Sequence, residues 1–150
     1  MFRGVNNINI DVKGRFGVPS RFREFLVNHC GGEMVVTIDT EEKCLLIYPR
    51  PDWDEIQRRV EDLPSFNAVT RRVQRLLIGH ATDVQMDANG RVLLSPPLRT
   101  YANLEKKGIL IGQGKKMELW DESAWNNKRD IWVEEGQSLG IPQELAGLSL

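Results

Sequence analysis

Apolar and polar residues alternate along residues 8–18, with polar, turn-forming residues in the middle. This pattern predicts two short strands that each bury one face and are joined by a turn. Pro19 then suits the first turn of a short helix, where its missing amide hydrogen costs nothing. Apolar stretches at 34–38 and 44–48 predict two further strands. The N-terminal part of the chain is therefore predicted to fold as a β-β-α-β-β unit.

The same pattern returns in the second half of the chain. Ile8–Asp11 aligns with Val84–Asp87, and the alignment continues without a gap to Arg23 and Arg99. Beyond that point the second copy is shorter, a loss that a hairpin loop tolerates better than a strand. The later strands of the second copy are predicted at 109–112 and 116–120. We therefore predict two tandem ββαββ repeats.

Each copy contains a four-residue turn that is followed directly by an arginine. The turns occupy residues 11–14 and 87–90, and each begins with Asp and ends with Gly. Aspartate favours the first position of a turn, and glycine accepts a positive φ at the fourth. Arg15 and Arg91 then begin the returning strands.

Helical spacing of apolar residues predicts additional helices outside the repeats. In the first of them, Asp52 and Glu55 form a capping box ahead of an apolar stripe that ends near Leu63. A second helix, at 66–78, joins the two copies, and a weakly ordered tail is expected after about Glu135. The predicted boundaries are 5–51 for repeat one, 52–79 for the connecting helices, 80–123 for repeat two, and 124–150 for the C-terminal helix and tail.

The size of one repeat bears on the fold. Four short strands in a single unit are too few to bury both faces of a sheet. Two units that close on each other would share one core with pseudo-twofold symmetry. We therefore predict an α+β, mainly β fold in which the two repeats form one barrel.

Composition and charge narrow the class of protein. Apolar residues make up 41% of the chain, and no apolar run approaches the roughly 20 residues of a membrane-spanning helix. Without a signal-peptide pattern, a cytoplasmic protein is expected.

The net charge of −1 at first argues against a nucleic-acid partner. However, residues 1–23 carry five basic residues against one acid, whereas residues 117–150 carry two against seven. Such an asymmetry permits one basic face.

Several stretches together resemble the MraZ family. They are MFRG at the start, DVKGRFGVP at 11–19, and DANGR at 87–91 followed by Leu98-Arg99-x-Tyr101-Ala102. The resemblance runs from residue 1 to about residue 135, and two DxxGR turns at this spacing make it specific. Only Ser95-Pro96-Pro97 departs from the simpler hydrophobic-Pro pattern of the family.

The resemblance implies two SpoVT-AbrB-type swapped-hairpin units that form a double-split β-barrel. It also implies a transcriptional regulator associated with the nucleoid. Members of the family assemble into rings and bind short direct repeats of double-stranded DNA in the promoter of the cell-division and cell-wall gene cluster. The family motif falls on Asp11 and Arg15 in one unit, and on Asp87 and Arg91 in the other.

The chemistry of arginine fits such a role. A two-stranded ribbon enters the major groove, and the planar guanidinium binds guanine O6 and N7 together. We therefore assign base reading to Arg15 and Arg91, and contacts with the DNA backbone to Lys13 and Arg3, with Arg21 as a further candidate. The expected turn-orienting residues are Asp11, Gly14, Asp87 and Gly90.

Two other interpretations remain open at this stage. The turns could be purely structural, with a surface Asp–Arg contact, or the chain could be an AbrB-like protein-interaction module without DNA contact. Arginines that are buried or far apart would favour the interaction module. The arginines on the predicted helices (Arg58, Arg59, Arg71, Arg72 and Arg75) are expected on solvated faces, and the four tryptophans in a core or interface.

An enzyme is disfavoured by the spacing of the reactive residues. His29, Cys30, Cys44 and His80 lack the CxxC or HxxxH spacing of a metal site, and two cysteines are too few for a disulfide framework. The chain also lacks a phosphate-binding glycine loop. We expect no metal, no cofactor and no small-molecule ligand.

Overall fold

The computed structural model describes all 150 residues, which form eight strands and five α-helices. The first half contains β1 (Phe2–Asn9), β2 (Arg15–Gly17), α1 (Ser20–Cys30), β3 (Glu33–Ile38), β4 (Leu45–Pro49), α2 (Arg50–Glu61) and α3 (Ala68–Val73), which continues into a π-helical turn (Gln74–Ile78). The second half contains β5 (Thr82–Gln85), β6 (Arg91–Leu93), α4 (Pro96–Tyr101), β7 (Lys107–Gly114), β8 (Lys116–Asp121), α5 (Glu122–Leu139) and a final 3-10 turn (Gln143–Leu145).

The strands of the two repeats interlock. Six strands form one antiparallel sheet in the order β1-β7-β8-β4-β3-β5, and β2 pairs with β6 in a separate two-stranded ribbon. Four of these pairings, β1 with β7, β4 with β8, β3 with β5, and β2 with β6, join a strand of one repeat to a strand of the other. The predicted α+β fold with two tandem units is confirmed, and the exchange of strands fits a swapped-hairpin architecture.

The sheet is open, and in this respect it differs from the closed barrel that was expected. β1 and β5 form its two edges, and the ribbon of β2 and β6 lies between the repeats as a separate sheet. Each ribbon strand has only three residues, because Pro19 and Pro96 follow closely and helices begin there. A single β-bridge between Ile10, directly after β1, and Phe16 links β1 to the ribbon. Such short strands do not continue the ladder from one edge to the other.

The main core lies between the sheet and a layer formed by α1, α4 and the ribbon. Both repeats contribute to it, and its fully buried members include Phe16, Leu26, Leu94, Leu98 and Leu110. The opposite face of the sheet is covered by α2 around Trp53 and by α5 near Trp120. Because each repeat supplies only part of the core, neither repeat could bury its apolar residues alone.

Three of the helix boundaries differ from the sequence prediction. The prediction of a capping box at Asp52 is wrong, because α2 begins at Arg50 and no side chain caps its first turn. Pro49 and Pro51 favour this earlier start, so Asp52 lies inside the helix, where its carboxylate is 2.9 Å from Nε2 of His29.

The connecting helix also begins later than expected, at Ala68, where the side chain of Asn67 accepts a hydrogen bond from the amide of Val69. Phe66, the predicted first residue, is 87% exposed. The last long helix, α5, continues to Leu139 and so passes the point where the tail was expected to begin. None of the helices combines the length and apolar character needed to cross a bilayer.

Candidate nucleic-acid interface

The pairing of β2 with β6 places both arginine-bearing turns on one ribbon. Arg15 lies opposite Leu93, and Gly17 lies opposite Arg91. Between them Phe16 and Val92 point into the core, so the two arginines project from the opposite, outward face. In this register Arg15 and Arg91 are diagonal neighbours, a separation of roughly 7–8 Å between backbone positions. The structure therefore brings the two predicted base-reading residues together.

The first turn is organised by the carboxylate of Asp11. Its Oδ1 accepts hydrogen bonds from the amides of Lys13 and Arg15, each at 2.9 Å, and its Oδ2 accepts one from Nε of Arg15 at 2.9 Å. The amide of Gly14 donates to the carbonyl of Asp11 at 3.0 Å, and Gly14 has a φ of 91°. One carboxylate thus holds both the turn and the side chain of the following arginine.

The second turn repeats this backbone arrangement around Asp87. Its Oδ1 accepts from the amides of Asn89 at 2.8 Å and Arg91 at 2.9 Å, and Gly90 has a φ of 75°. The side chain is held less closely, because Nε of Arg91 lies 3.5 Å from Oδ2 of Asp87 and has no hydrogen-bond partner.

The environment of both aspartates favours the charged carboxylate. The backbone amide of Arg15 is the main cause that lowers the pKa of Asp11, and its guanidinium adds to the effect. For Asp87 the backbone amide of Arg91 is again the main cause of a lowered pKa. At neutral pH both turns are therefore held by ionised carboxylates.

Two further arginines, not identified as site residues from the sequence, contact these turns from the opposite repeat. The guanidinium of Arg23, on α1, lies over Gly90, and that of Arg99, on α4, lies over Gly14. Because the repeat alignment pairs Arg23 with Arg99, their common position was a usable signal. The contact itself could not be predicted, since it depends on how the two repeats interlock.

The remaining predicted DNA contacts occupy different places. Lys13 is exposed at the tip of the first turn. Arg3 is exposed near the start of β1, at the end away from the turn, about 26 Å along the strand from Asp11. Arg21 lies beside Arg3 and donates to its carbonyl oxygen at 3.2 Å and to Oδ1 of Asn6 at 2.6 Å. The structure therefore places Lys13 at the first turn, whereas Arg3 and Arg21 lie together toward the other end of β1.

The helix arginines face solvent and several have acidic partners. Arg59 lies 3.4 Å from Glu55, and Arg72 lies 3.8 Å from Glu41. The aromatic residues lie elsewhere, with Trp120, Trp125 and Trp132 in mutual edge-to-face contact between the sheet and α5.

The reactive residues each contact a local partner. His29 contacts Asp52, Nδ1 of His80 contacts the carbonyl of Leu76, and the thiol of Cys30 contacts the carbonyl of Leu26. A separate group, formed by Asp39, Cys44 and Glu118, places three potential ligand atoms within 4.8 Å of one another.

This group is explained by local structure. The carboxylate of Asp39 accepts hydrogen bonds from the amides of Glu41 and Glu42, and the carboxylate of Glu118 accepts one from Nε1 of Trp120 at 2.9 Å. Burial raises the pKa of the Cys44 thiol, which therefore stays protonated at neutral pH.

Comparison with known proteins adds to this geometry. A family model described as "MraZ protein, putative antitoxin-like" matches residues 1–76 and again residues 77–131. Three proteins named "Transcriptional regulator MraZ" are similar over the full length of both chains. They come from Alkalilimnicola ehrlichii (53% identical over 150 residues), Halorhodospira halophila (52% over 152) and Legionella pneumophila strain Corby (53% over 152).

Proposed function

Because the chain belongs to the MraZ family, we propose that it is a transcriptional regulator that binds double-stranded DNA through the ribbon of β2 and β6. The single observation that carries this proposal is the pairing of the two strands. It places Arg15 and Arg91, one from each repeat, side by side on an outward face.

The shape and chemistry of the ribbon suit the major groove. A two-stranded ribbon fits its width of about 12 Å, and an arginine near the turn reaches the base edges there. Arg15 and Arg91 read guanine, while Asp11 and Asp87 hold the turns and orient the guanidinium groups. An aspartate at these positions does not itself approach the phosphates, which repel a carboxylate.

Other basic residues supply affinity without sequence information. Lys13 extends from the first turn toward the adjacent phosphates. Arg3, at the far end of β1, contacts phosphates that flank the site read by the ribbon. These contacts release counterions, so binding weakens as salt rises.

Assembly multiplies these contacts. One ribbon offers few base contacts, whereas a ring of protomers presents the same ribbon repeatedly and gains affinity through multivalency. Short direct repeats, spaced to match successive protomers, convert that gain into specificity for the promoter of the cell-division and cell-wall cluster. The two open sheet edges, β1 and β5, leave unpaired backbone groups for such contacts. The protein would act in the cytoplasm, on the nucleoid.

The test is a gel-shift titration against the organism's own cell-division-cluster promoter, with random DNA as competitor at physiological salt. Arg15→Ala and Arg91→Ala are compared with Arg58→Ala, a matched loss of charge on the exposed face of α2. We expect both ribbon variants to lose preference for the promoter and Arg58→Ala to retain it. Equal binding of promoter and random DNA by the unchanged protein would favour a protein-interaction module.

A further inference from the structure

We propose that Arg23 and Arg99, here named the crossed arginines, are positioning residues that each fix the DNA-reading turn of the opposite repeat. Arg23, in repeat one, sets the turn that carries Arg91. Arg99, in repeat two, sets the turn that carries Arg15. The inference rests on the proposed DNA-binding function and adds to it a dependence of each turn on the other half of the chain.

A chain of contacts leads from Arg23 to the second turn. The carbonyl of Gly90 accepts a hydrogen bond from the amide of Val18 at 2.8 Å. The carbonyl of Val18 in turn accepts from Nε of Arg23 at 2.7 Å. The guanidinium also covers the glycine directly, since a Cβ built on Gly90 would clash with Nε and lie 2.5 Å from Cζ of Arg23.

The same chain is present with the repeats exchanged. The carbonyl of Gly14 accepts from the amide of Leu94 at 2.9 Å, and the carbonyl of Leu94 accepts from Nε of Arg99 at 3.2 Å. A Cβ on Gly14 would lie 2.6 Å from Nε and 2.8 Å from Cζ of Arg99. Two copies of one contact, related by the pseudo-twofold axis, argue against an accidental packing of surface side chains.

This contact explains why an arginine and a glycine are both needed. The planar guanidinium lies against the bare Cα of the glycine, while Nε donates to the carbonyl of Val18 in one copy and of Leu94 in the other. The ammonium of lysine has neither that plane nor that donor. Both crossed arginines are only partly exposed, so the contact also excludes water from the base of the turn. Glycine at these positions therefore meets two demands, a positive φ and space for a side chain from the other repeat.

The crossing makes a sharp prediction about specificity. Arg15→Ala and Arg91→Ala are first used to identify which base pairs each turn reads, with a panel of single base-pair changes in the operator. Arg23→Lys should then lose discrimination at the base pairs assigned to Arg91, by about tenfold, and leave those of Arg15 unchanged. Arg99→Lys should show the converse. Arg58→Lys is the matched control and should change neither.

The choice of lysine separates positioning from direct DNA contact. Lysine retains the charge, so a residue that only neutralises a phosphate would keep most of its affinity and its salt dependence. Loss of discrimination with an unchanged salt slope supports the proposal. A uniform loss of affinity across all sequences, or a loss at the base pairs of the turn in the same repeat, would overturn it.

A second measurement needs no DNA and so keeps the two proposals apart. Gly90→Ala is combined with Arg23→Ala and, separately, with Arg99→Ala, and the midpoints of thermal unfolding are compared. For the cross-repeat pair Gly90–Arg23, the changes in the unfolding midpoint should be clearly non-additive, because removing the guanidinium makes room for the new methyl group. For the pair Gly90–Arg99, the changes in the midpoint should be additive. Additivity in both pairs would contradict the crossed contact. If non-additivity is found but Arg15→Ala and Arg91→Ala bind the promoter normally, the proposed function fails while the contact stands.

Discussion

The two turns have the same backbone hydrogen bonds but hold their arginines differently. In the first turn Arg15 donates to Asp11 at 2.9 Å, whereas in the second Nε of Arg91 stays 3.5 Å from Asp87. For the crossed arginines the closer contact belongs to the second turn. Nε of Arg23, above the second turn, lies 2.7 Å from the carbonyl of Val18, whereas Nε of Arg99, above the first, lies 3.2 Å from the carbonyl of Leu94. Each aspartate therefore holds the backbone of its turn equally well, but only Asp11 also holds the arginine side chain through a hydrogen bond.

The tips of the turns differ as well. The first presents Val12, which is 98% exposed, and Lys13, whereas the second presents Ala88 and Asn89. A nearly twofold protein thus carries two unlike turns, one with an arginine that is hydrogen-bonded to its aspartate and a positive neighbour, the other with a less closely held arginine and a neutral neighbour.

The largest expected effect comes from the glycines, where we predict that Gly90→Ala lowers the free energy of unfolding by about 2–3 kcal/mol. The cost combines a positive φ with the clash against Arg23. Gly14→Ala should cost less, because its clash with Arg99 is milder. Urea denaturation followed by tryptophan fluorescence measures both.

Gly114→Ala is the matched control, since Gly114 has a φ of 79° but nothing within 4 Å of an added Cβ. Its cost, about 1 kcal/mol, isolates the backbone contribution. Equal costs at positions 14, 90 and 114 would show that the arginines do not restrict the turns.

The next effect concerns DNA reading, where we predict that Arg15→Ala loses more specific affinity than Arg91→Ala. Both should lose about 1–3 kcal/mol. Arg15 is already held by Asp11 and gives up less side-chain entropy on binding, so its contact is the stronger. Fluorescence anisotropy with a single operator repeat measures the difference, and a larger loss at Arg91 would reverse the ranking.

A smaller effect should appear with pH. The pKa values of Asp11 and Asp87 are lowered in the folded protein, so their stabilising contribution is complete above the unfolded pKa of about 3.9. It is lost as the pH falls through the lower, folded pKa. The protein should therefore lose more stability between pH 6 and pH 3 than the Asp11→Asn/Asp87→Asn variant does. Parallel pH profiles in urea denaturation would mean that the carboxylates contribute no such dependence.

The smallest expected effect concerns how residues at the tips of the two turns change the salt dependence of DNA binding. Lys13→Ala is expected to lower the slope of log affinity against log salt by about 0.9 without altering sequence preference, and Asn89→Lys to raise it by a similar amount. Titrations at several salt concentrations, on operator and random DNA, measure both slopes. A change in sequence preference at either position would assign base contacts to the tips.

Much of this arrangement was predictable from local chemistry. The Asp-x-x-Gly turns and the repeat alignment identify both turns and the arginine that follows each, because turn formation depends on a few adjacent residues. Features that depend on the assembly of the two repeats were not predictable in the same way. The contacts of Arg23 and Arg99 and the open sheet both follow from strand exchange.

One wrong prediction has a local cause. Asp52 and Glu55 have the spacing of a capping box, but Pro49 and Pro51 begin the helix earlier and leave Asp52 to contact His29. Competing start signals within four residues cannot be ranked by pattern alone.

The exchange of strands has a consequence for how the protein is made. β2 emerges early from the ribosome, yet the strand that pairs with it, β6, begins at Arg91, and β1 must wait for β7 at Lys107. The nascent chain therefore has no completed ribbon until most of its length has been synthesised. A protein built in this way completes its ribbon only after more than half of the chain has been translated, and a chain released before that point would lack the ribbon.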